Sequence, residues 1–200
     1  MRRSLLTAFA LCLVTAFPAL AKSCPTRADL NGDGIRLTRS APFMTVLLTN
    51  RGDTQISERR VKRNGKTTRV RSTYLHPLAV AQRQDTRSVL TMKYSRNTKS
   101  LQNLDNTKVW RSRIEILDGT KTIDKGSVTM RLGGKGTHTV GGCKYPVWSV
   151  VETYETGKLP ISSREKIYAP TLGIVLTSYA LGRDGKRRRS GFAPDKISAE

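Results

Sequence analysis

Three observations predict a mainly β fold, a single-domain antiparallel curved sheet or open β-barrel with at most one short helix. Apolar residues recur at every second position over most of the chain, the period of a half-buried strand. Turn pairs interrupt these runs at short intervals: Asn31-Gly32-Asp33-Gly34, Arg51-Gly52-Asp53, Asn64-Gly65, Asp118-Gly119, Gly133-Gly134, Gly141-Gly142 and Asp184-Gly185. Aromatic residues are only 6% of the chain, so the core must be built from Val, Leu and Ile. Ten or so short strands joined in this way suit one antiparallel sheet.

The chain opens with Arg2 and Arg3, an apolar run from Leu5 to Phe17, Pro18, and Ala19-Leu20-Ala21. This is the layout of a signal peptide over residues 1–21, with a mature chain starting at Lys22 and an expected periplasmic or secreted location. The apolar run is shorter than the roughly 20 residues a transmembrane helix needs. Residues 22–181 then form the expected β-rich domain.

Asn64-Gly65 lies between two basic strand-like runs and predicts a two-residue hairpin. The stretch Leu75–Gln84 is the one candidate helix, with Pro77 in its first turn and Leu78, Ala79 and Ala81 toward a core. Trp110, Ser112, Ile114 and Ile116 face one way and Val109, Arg111, Arg113 and Glu115 the other, a half-buried strand. Breaks are expected at Asp118-Gly119 and Lys125-Gly126, after which Val128, Met130 and Leu132 repeat the alternation. Trp148, Val150 and Tyr154 share a face with Glu152 as the exception. The run from Leu172 to Leu181, between Pro170 and Gly182, reads as a strand buried on both faces. Residues 182–200, with Lys186, Arg187, Arg188 and Arg189 in a row, read as a basic, loosely held tail.

Signal removal would leave 34 basic and 15 acidic residues, a net charge of +19. Residues 51 to 113 hold 16 Lys or Arg against four Asp or Glu, so one half of the domain should be electropositive. Such a field attracts phosphate, sulfate and carboxylate polymers. The candidate anion-binding residues are Arg59, Arg60, Lys62, Arg63, Lys66, Arg69 and Arg71, which flank the Asn64-Gly65 turn. Like charges on such a ribbon repel, and an anionic envelope polymer or lipid headgroup would relieve the repulsion. Tyr74 is the nearest aromatic residue, so base stacking and sequence-specific reading of nucleic acid are not supported, although phosphate contact is.

Cys12 would leave with the signal, and the remaining Cys24 and Cys143 are expected to form a disulfide. In the chain-entropy argument a loop of that length contributes about 4 to 5 kcal/mol. Neither Cys12 nor Cys24 has the flanking residues of a lipid-modified N-terminus.

No residue pattern calls for catalysis, a cofactor or a metal. His76 and His138 lie in no triad or ligand spacing and read as surface or turn residues. Asp29, Asn31, Asp33 and Gly34 begin like a calcium loop, but Arg36 and Ser40 stand where an apolar residue and a bidentate carboxylate are required. Gly133-Gly134-Lys135-Gly136 lacks the Lys-Ser or Lys-Thr of a phosphate loop and reads as a hairpin. Arg51-Gly52-Asp53 matches an adhesive tripeptide in composition only. Glu152, Glu155 and Glu165 could supply a carboxylate pair only if two faced one cleft, and ion pairing with the many arginines is the expected state.

Gly141-Gly142-Cys143-Lys144-Tyr145-Pro146-Val147, followed by Tyr168-Ala169-Pro170-Thr171-Leu172-Gly173, resembles the C-terminal part of small exported bacterial proteins of unknown function. Cys24-Pro25, Asp29-Leu30 and Gly34-Ile35 fit the same group. The resemblance implies export, a disulfide and β architecture, and no activity. A more distant similarity, in strand pattern and compartment, is to the half-open β-barrels that carry envelope lipoproteins. It implies a second expectation, an acyl chain held in a concave apolar cleft lined by Trp148, Val150, Leu172, Ile174 and Leu176.

Overall fold

A computed structural model describes residues 23–157 and 161–200; the expected signal peptide, with the mature start at Lys22, lies outside them. Thirteen strands follow one another in sequence: β1 (Ile35–Arg39), β2 (Met44–Arg51), β3 (Thr54–Arg63), β4 (Lys66–His76), β5 (Ala79–Gln84), β6 (Val89–Tyr94), β7 (Val109–Asp118), β8 (Lys121–Val140), β9 (Cys143–Thr156), β10 (Ser162–Ala169), β11 (Ile174–Leu181), β12 (Arg187–Phe192) and β13 (Lys196–Ala199). They form one antiparallel, curved, unclosed sheet in the order β12-β11-β10-β9-β8-β7-β6-β5-β4-β3-β2-β1-β13. The one interruption by helix is a 3₁₀ turn, Thr98–Asn103, that runs into α1 (Leu104–Thr107). A second 3₁₀ segment, Arg27–Asn31, precedes β1.

Local chemistry explains the turns. Asn64 and Gly65 both have positive φ, 49° and 73°, the geometry whose twist matches the flanking strands of a tight hairpin. Their two-residue loop fixes the register from Arg63↔Lys66 to Gln55↔Tyr74.

The alternation expected in β7 is present: Trp110, Ser112, Ile114 and Ile116 are buried, and Arg111 and Arg113 are exposed. The apolar residues gather in two clusters. One joins Leu30, Ile35, Leu37, Leu48, Val140, Tyr145, Val147, Ile167, Leu172, Ile174, Leu176 and Ile197. The other joins Leu78, Leu101, Leu104, Trp110, Ile114, Val128, Met130, Val150 and Tyr168. Ile167 and Tyr168 are neighbours on β10 yet belong to different clusters, so the sheet is covered on both faces at β9 and β10.

Several sequence expectations are corrected. Leu75–Gln84 is not helical: β4 ends at His76, Pro77-Leu78 make the turn, and β5 begins at Ala79. Cross-strand pairing of Tyr74 with Val80 satisfies the backbone, while Leu78 and Ala79 become fully buried. Gly133-Gly134 is not a hairpin, and Lys125-Gly126 is not a break. Both lie inside β8, the first at a register shift opposite Ser149 and Val150, the second where a Cβ would strike the Glu155 carbonyl oxygen. Only glycine permits that close approach.

The tail expected after Gly182 is structured instead. Arg187–Phe192 pairs with β11, and Lys196–Ala199 pairs with the free edge of β1, where Ile197 completes the first cluster. Asp195 secures the connection, its N–H donating to the Thr38 carbonyl at 2.9 Å and its carboxylate accepting from the Ser40 N–H at 2.8 Å.

Cys24 and Cys143 form a disulfide with Cα atoms 5.5 Å apart. It anchors the segment before β1 to the start of β9, and the Tyr145 hydroxyl donates to the Pro25 carbonyl at 3.1 Å beside it. Replacing both cysteines by serine should lower the unfolding free energy by about 2–4 kcal/mol. The check is the urea midpoint of the oxidised protein against that of the double variant, and equal midpoints would show that packing alone holds residues 23–31.

Candidate functional site

The β3–β4 hairpin carries the predicted cationic patch, and its register divides that patch between two faces. Side chains alternate along each strand, and the two-residue turn pairs Arg59 with Val70, Arg60 with Arg69, Lys62 with Thr67 and Glu58 with Arg71. Arg60, Lys62, Arg69 and Arg71 therefore share the outer face and are exposed. Lys66 is exposed at the tip, and Arg63 pairs with it through the backbone. Arg60 and Arg69 are directly opposed, and no carboxylate forms an ion pair with either among the described residues.

Arg59 belongs to the other face. It stands in phase with Gln55 and Ser57, which are 6% and 4% exposed, and in register with Val46 and Val70. Its Nε is the one buried side-chain nitrogen or oxygen without a hydrogen-bond partner among the described residues. Burial, with Arg83 and Arg164 acting in the same direction and Tyr74 against them, holds its guanidinium below the ordinary arginine pKa. Nothing in the local sequence sets Arg83 or Arg164 apart from the other arginines. Strand parity is the clue that separates Arg59 from Arg60.

Deeper on the same face lies a buried ion pair. Lys166 Nζ donates to Glu152 Oε1 at 2.6 Å and to the Leu78 carbonyl at 2.8 Å, and the Tyr154 hydroxyl donates to the same Glu152 oxygen at 3.0 Å. The Lys166 and Glu152 side chains are 10% and 3% exposed. Glu152, the apparent exception to the β9 alternation, is thus a core residue whose Oε1 accepts from both Lys166 and Tyr154. Burial, then the charge of Glu152, raises the Tyr154 pKa well above its ordinary value.

Glu165 points to the opposite face, where it accepts from Arg187 and, at 2.7 Å, from Ser149. Glu155 is exposed. The three glutamates therefore share no cleft.

His76 is the last residue of β4, not a residue of the turn, and it is not at the surface. It packs beside Tyr168, with ring centroids 5.7 Å apart, and its Nδ1 accepts from the Leu78 N–H at 3.2 Å. Burial, with Lys166 and Arg27 nearby, lowers its pKa to about 4. His138 is half-buried, its Nε2 3.2 Å from the Thr177 hydroxyl. Asp29 ends in a capping box with Thr26 rather than a cation loop. Arg51-Gly52-Asp53 is the β2–β3 turn, where Asp53 pairs with Lys99 at 3.3 Å.

The apolar cleft does not form as expected. Val150, Leu172, Ile174 and Leu176 are 0–2% exposed, and Val150 lies in the second cluster while the other three lie in the first. Trp148 is half-buried, edge-on to Tyr168, with Lys135 over its ring. These side chains pack the two sides of the sheet and do not line one open groove.

Lys166→Met should cost about 3–5 kcal/mol because it strands the Glu152 charge. Adding Glu152→Leu should recover most of that loss, and a double variant as unstable as the single one would refute the pairing. His76 has a folded pKa below its unfolded value near 6.5, so the unfolded chain binds the extra proton. Stability should fall as pH drops from about 6.5 to about 4, by as much as about 3 kcal/mol, and His76→Gln should flatten that part of a urea-midpoint profile.

Comparison of the chain with protein-family models, with curated proteins and with solved structures finds no match.

Proposed function

We propose that the protein is a non-catalytic binding protein of the periplasm or the secreted fraction, and that its basic face engages an anionic component of the cell envelope. The observation that carries this reading is the outer face of β3 and β4. Arg60 and Arg69 are opposed there with Lys62 and Arg71 alongside, all exposed and none with an ion-pair partner among the described residues. Like charges placed directly across a strand pair cost up to about 1 kcal/mol. A polyanion laid along the ribbon turns that cost into attraction, and its released counterions make the binding depend on salt. The export-type N-terminus and the Cys24–Cys143 disulfide support a location outside the cytoplasm. No helix among the described residues is long and apolar enough to cross a membrane.

The test is binding of the disulfide-bonded protein to lipopolysaccharide, anionic phospholipid vesicles, a heparin-like glycan and duplex DNA across a salt series. Replacing Arg60, Lys62, Arg69 and Arg71 together by Gln should weaken binding on the order of tenfold or more and flatten its salt dependence. Parent-like binding by that variant would remove the hairpin from the interface.

A further inference from the structure

The geometry points to a second, internal anion site, formed by Arg59, Arg83 and Arg164, that takes a phosphate-type dianion. It lies on the opposite face of β3 from Arg60 and Lys62 and does not require them.

Three observations converge. The first is the unpartnered Arg59 Nε. A buried donor left without an acceptor costs about 1–3 kcal/mol, so it marks either strain or a missing partner. A guanidinium presents Nε–H and a terminal N–H as a fork that fits two oxygens of one phosphate or carboxylate group.

The second is the placement of the cations. Ser57, Ser72 and Arg83 stand in one cross-strand row over β3, β4 and β5, and Arg59 is one step along that face from Ser57. Arg164 stands on the same face of β10 as Lys166 and Tyr168, and its charge acts on the Arg59 guanidinium. Arg83 and Arg164 are exposed while Arg59 is half-buried, so the guanidinium heads run from solvent inward. The hydroxyls of Ser57 and Tyr74, 3.3 Å apart, provide further polar lining.

The third is the charge balance. Arg83 and Arg164 both act on Arg59 as like charges; Tyr74 acts against them, but no carboxylate does. Glu152 is directly across from Arg164 in the ladder, but it is held by Lys166 and Tyr154. Three positive charges with no internal counterion favour a doubly charged oxyanion over a single carboxylate. Free phosphate and the phosphate head group of an amphiphile share this chemistry.

The experiment follows the Arg59 Nε–Hε NMR resonance in the full-length, disulfide-bonded protein at fixed ionic strength. The titrants are inorganic phosphate, dihexanoyl phosphatidic acid below its micellar concentration, and acetate. Phosphate should shift that resonance in a saturable way. Arg59→Lys, which keeps the charge and loses the fork, should weaken phosphate binding at least tenfold, while Arg111→Lys, an exposed arginine on β7 outside both sites, leaves it unchanged. Saturation by phosphate alone assigns the free anion, and a response only to the phosphatidic acid assigns the head group. An unmoved resonance with both, an equal response to acetate, or parent-like phosphate binding by Arg59→Lys would each overturn the proposal. The resonance experiment uses the parent protein, so a variant that fails to fold leaves it decisive. Loss of binding to lipopolysaccharide in the Arg60, Lys62, Arg69 and Arg71 variant bears only on the outer face.

Discussion

β9 and β10 are covered on both sides, so each face of this strand pair must be completed by something else in the chain. Toward the first cluster, Ile167 and Ala169 are met by β1, β2 and β13, which is why the last strand crosses to the far edge of the sheet. Toward the second cluster, Val150 and Tyr168 are met by β5, β7, β8 and the short helical segment. A polar side chain in that layer needs full hydrogen-bond satisfaction, because burial without it costs several kcal/mol. Lys166 and Glu152 satisfy one another and take their remaining bonds from Leu78 and Tyr154. The β4–β5 turn is thereby tied to β10, a contact between residues 88 apart in sequence.

The same logic sorts the cations. Arg187 finds Glu165 and the Tyr179 ring, and Arg36 finds Glu200. With more than twice as many basic as acidic residues, most cations cannot find such partners. On the outer face water solvates the excess at little cost. On the inner face it cannot do so fully, and Arg59 is where the shortage is felt. A protein tuned only for solubility would have no reason to turn an arginine toward Val46 and Val70.

Much of the fold was legible in the chain because the information was local. The alternation of Trp110, Ser112, Ile114 and Ile116 gave β7, and the positive-φ preference of Asn64-Gly65 gave the hairpin. Residues 75–84 misled because Leu78, Ala79 and Ala81 suit a helical stripe as well as a strand, and only the Tyr74↔Val80 pairing decides between them. The C-terminal strands carry mostly charge, and their docking depends on Ile197, Arg187 and Asp195 meeting partners far away in sequence. The cationic patch was found by counting charge. Strand parity alone would have separated Arg59 from Arg60, whereas Arg83 comes beside it through the pairing of β3, β4 and β5, and the charge of Arg164 acts on it from a strand far away in sequence.

β12 and β13 are consecutive in the chain yet form the two opposite borders of the sheet, joined through residues 193–195. That short connection is a clasp. Even fully stretched, the four steps from Phe192 to Lys196 span roughly 13–15 Å. The two borders cannot part beyond that reach, so the sheet cannot unroll while the clasp is in place. At that end the borders are held by chain connectivity, whatever becomes of the hydrogen bonds along them.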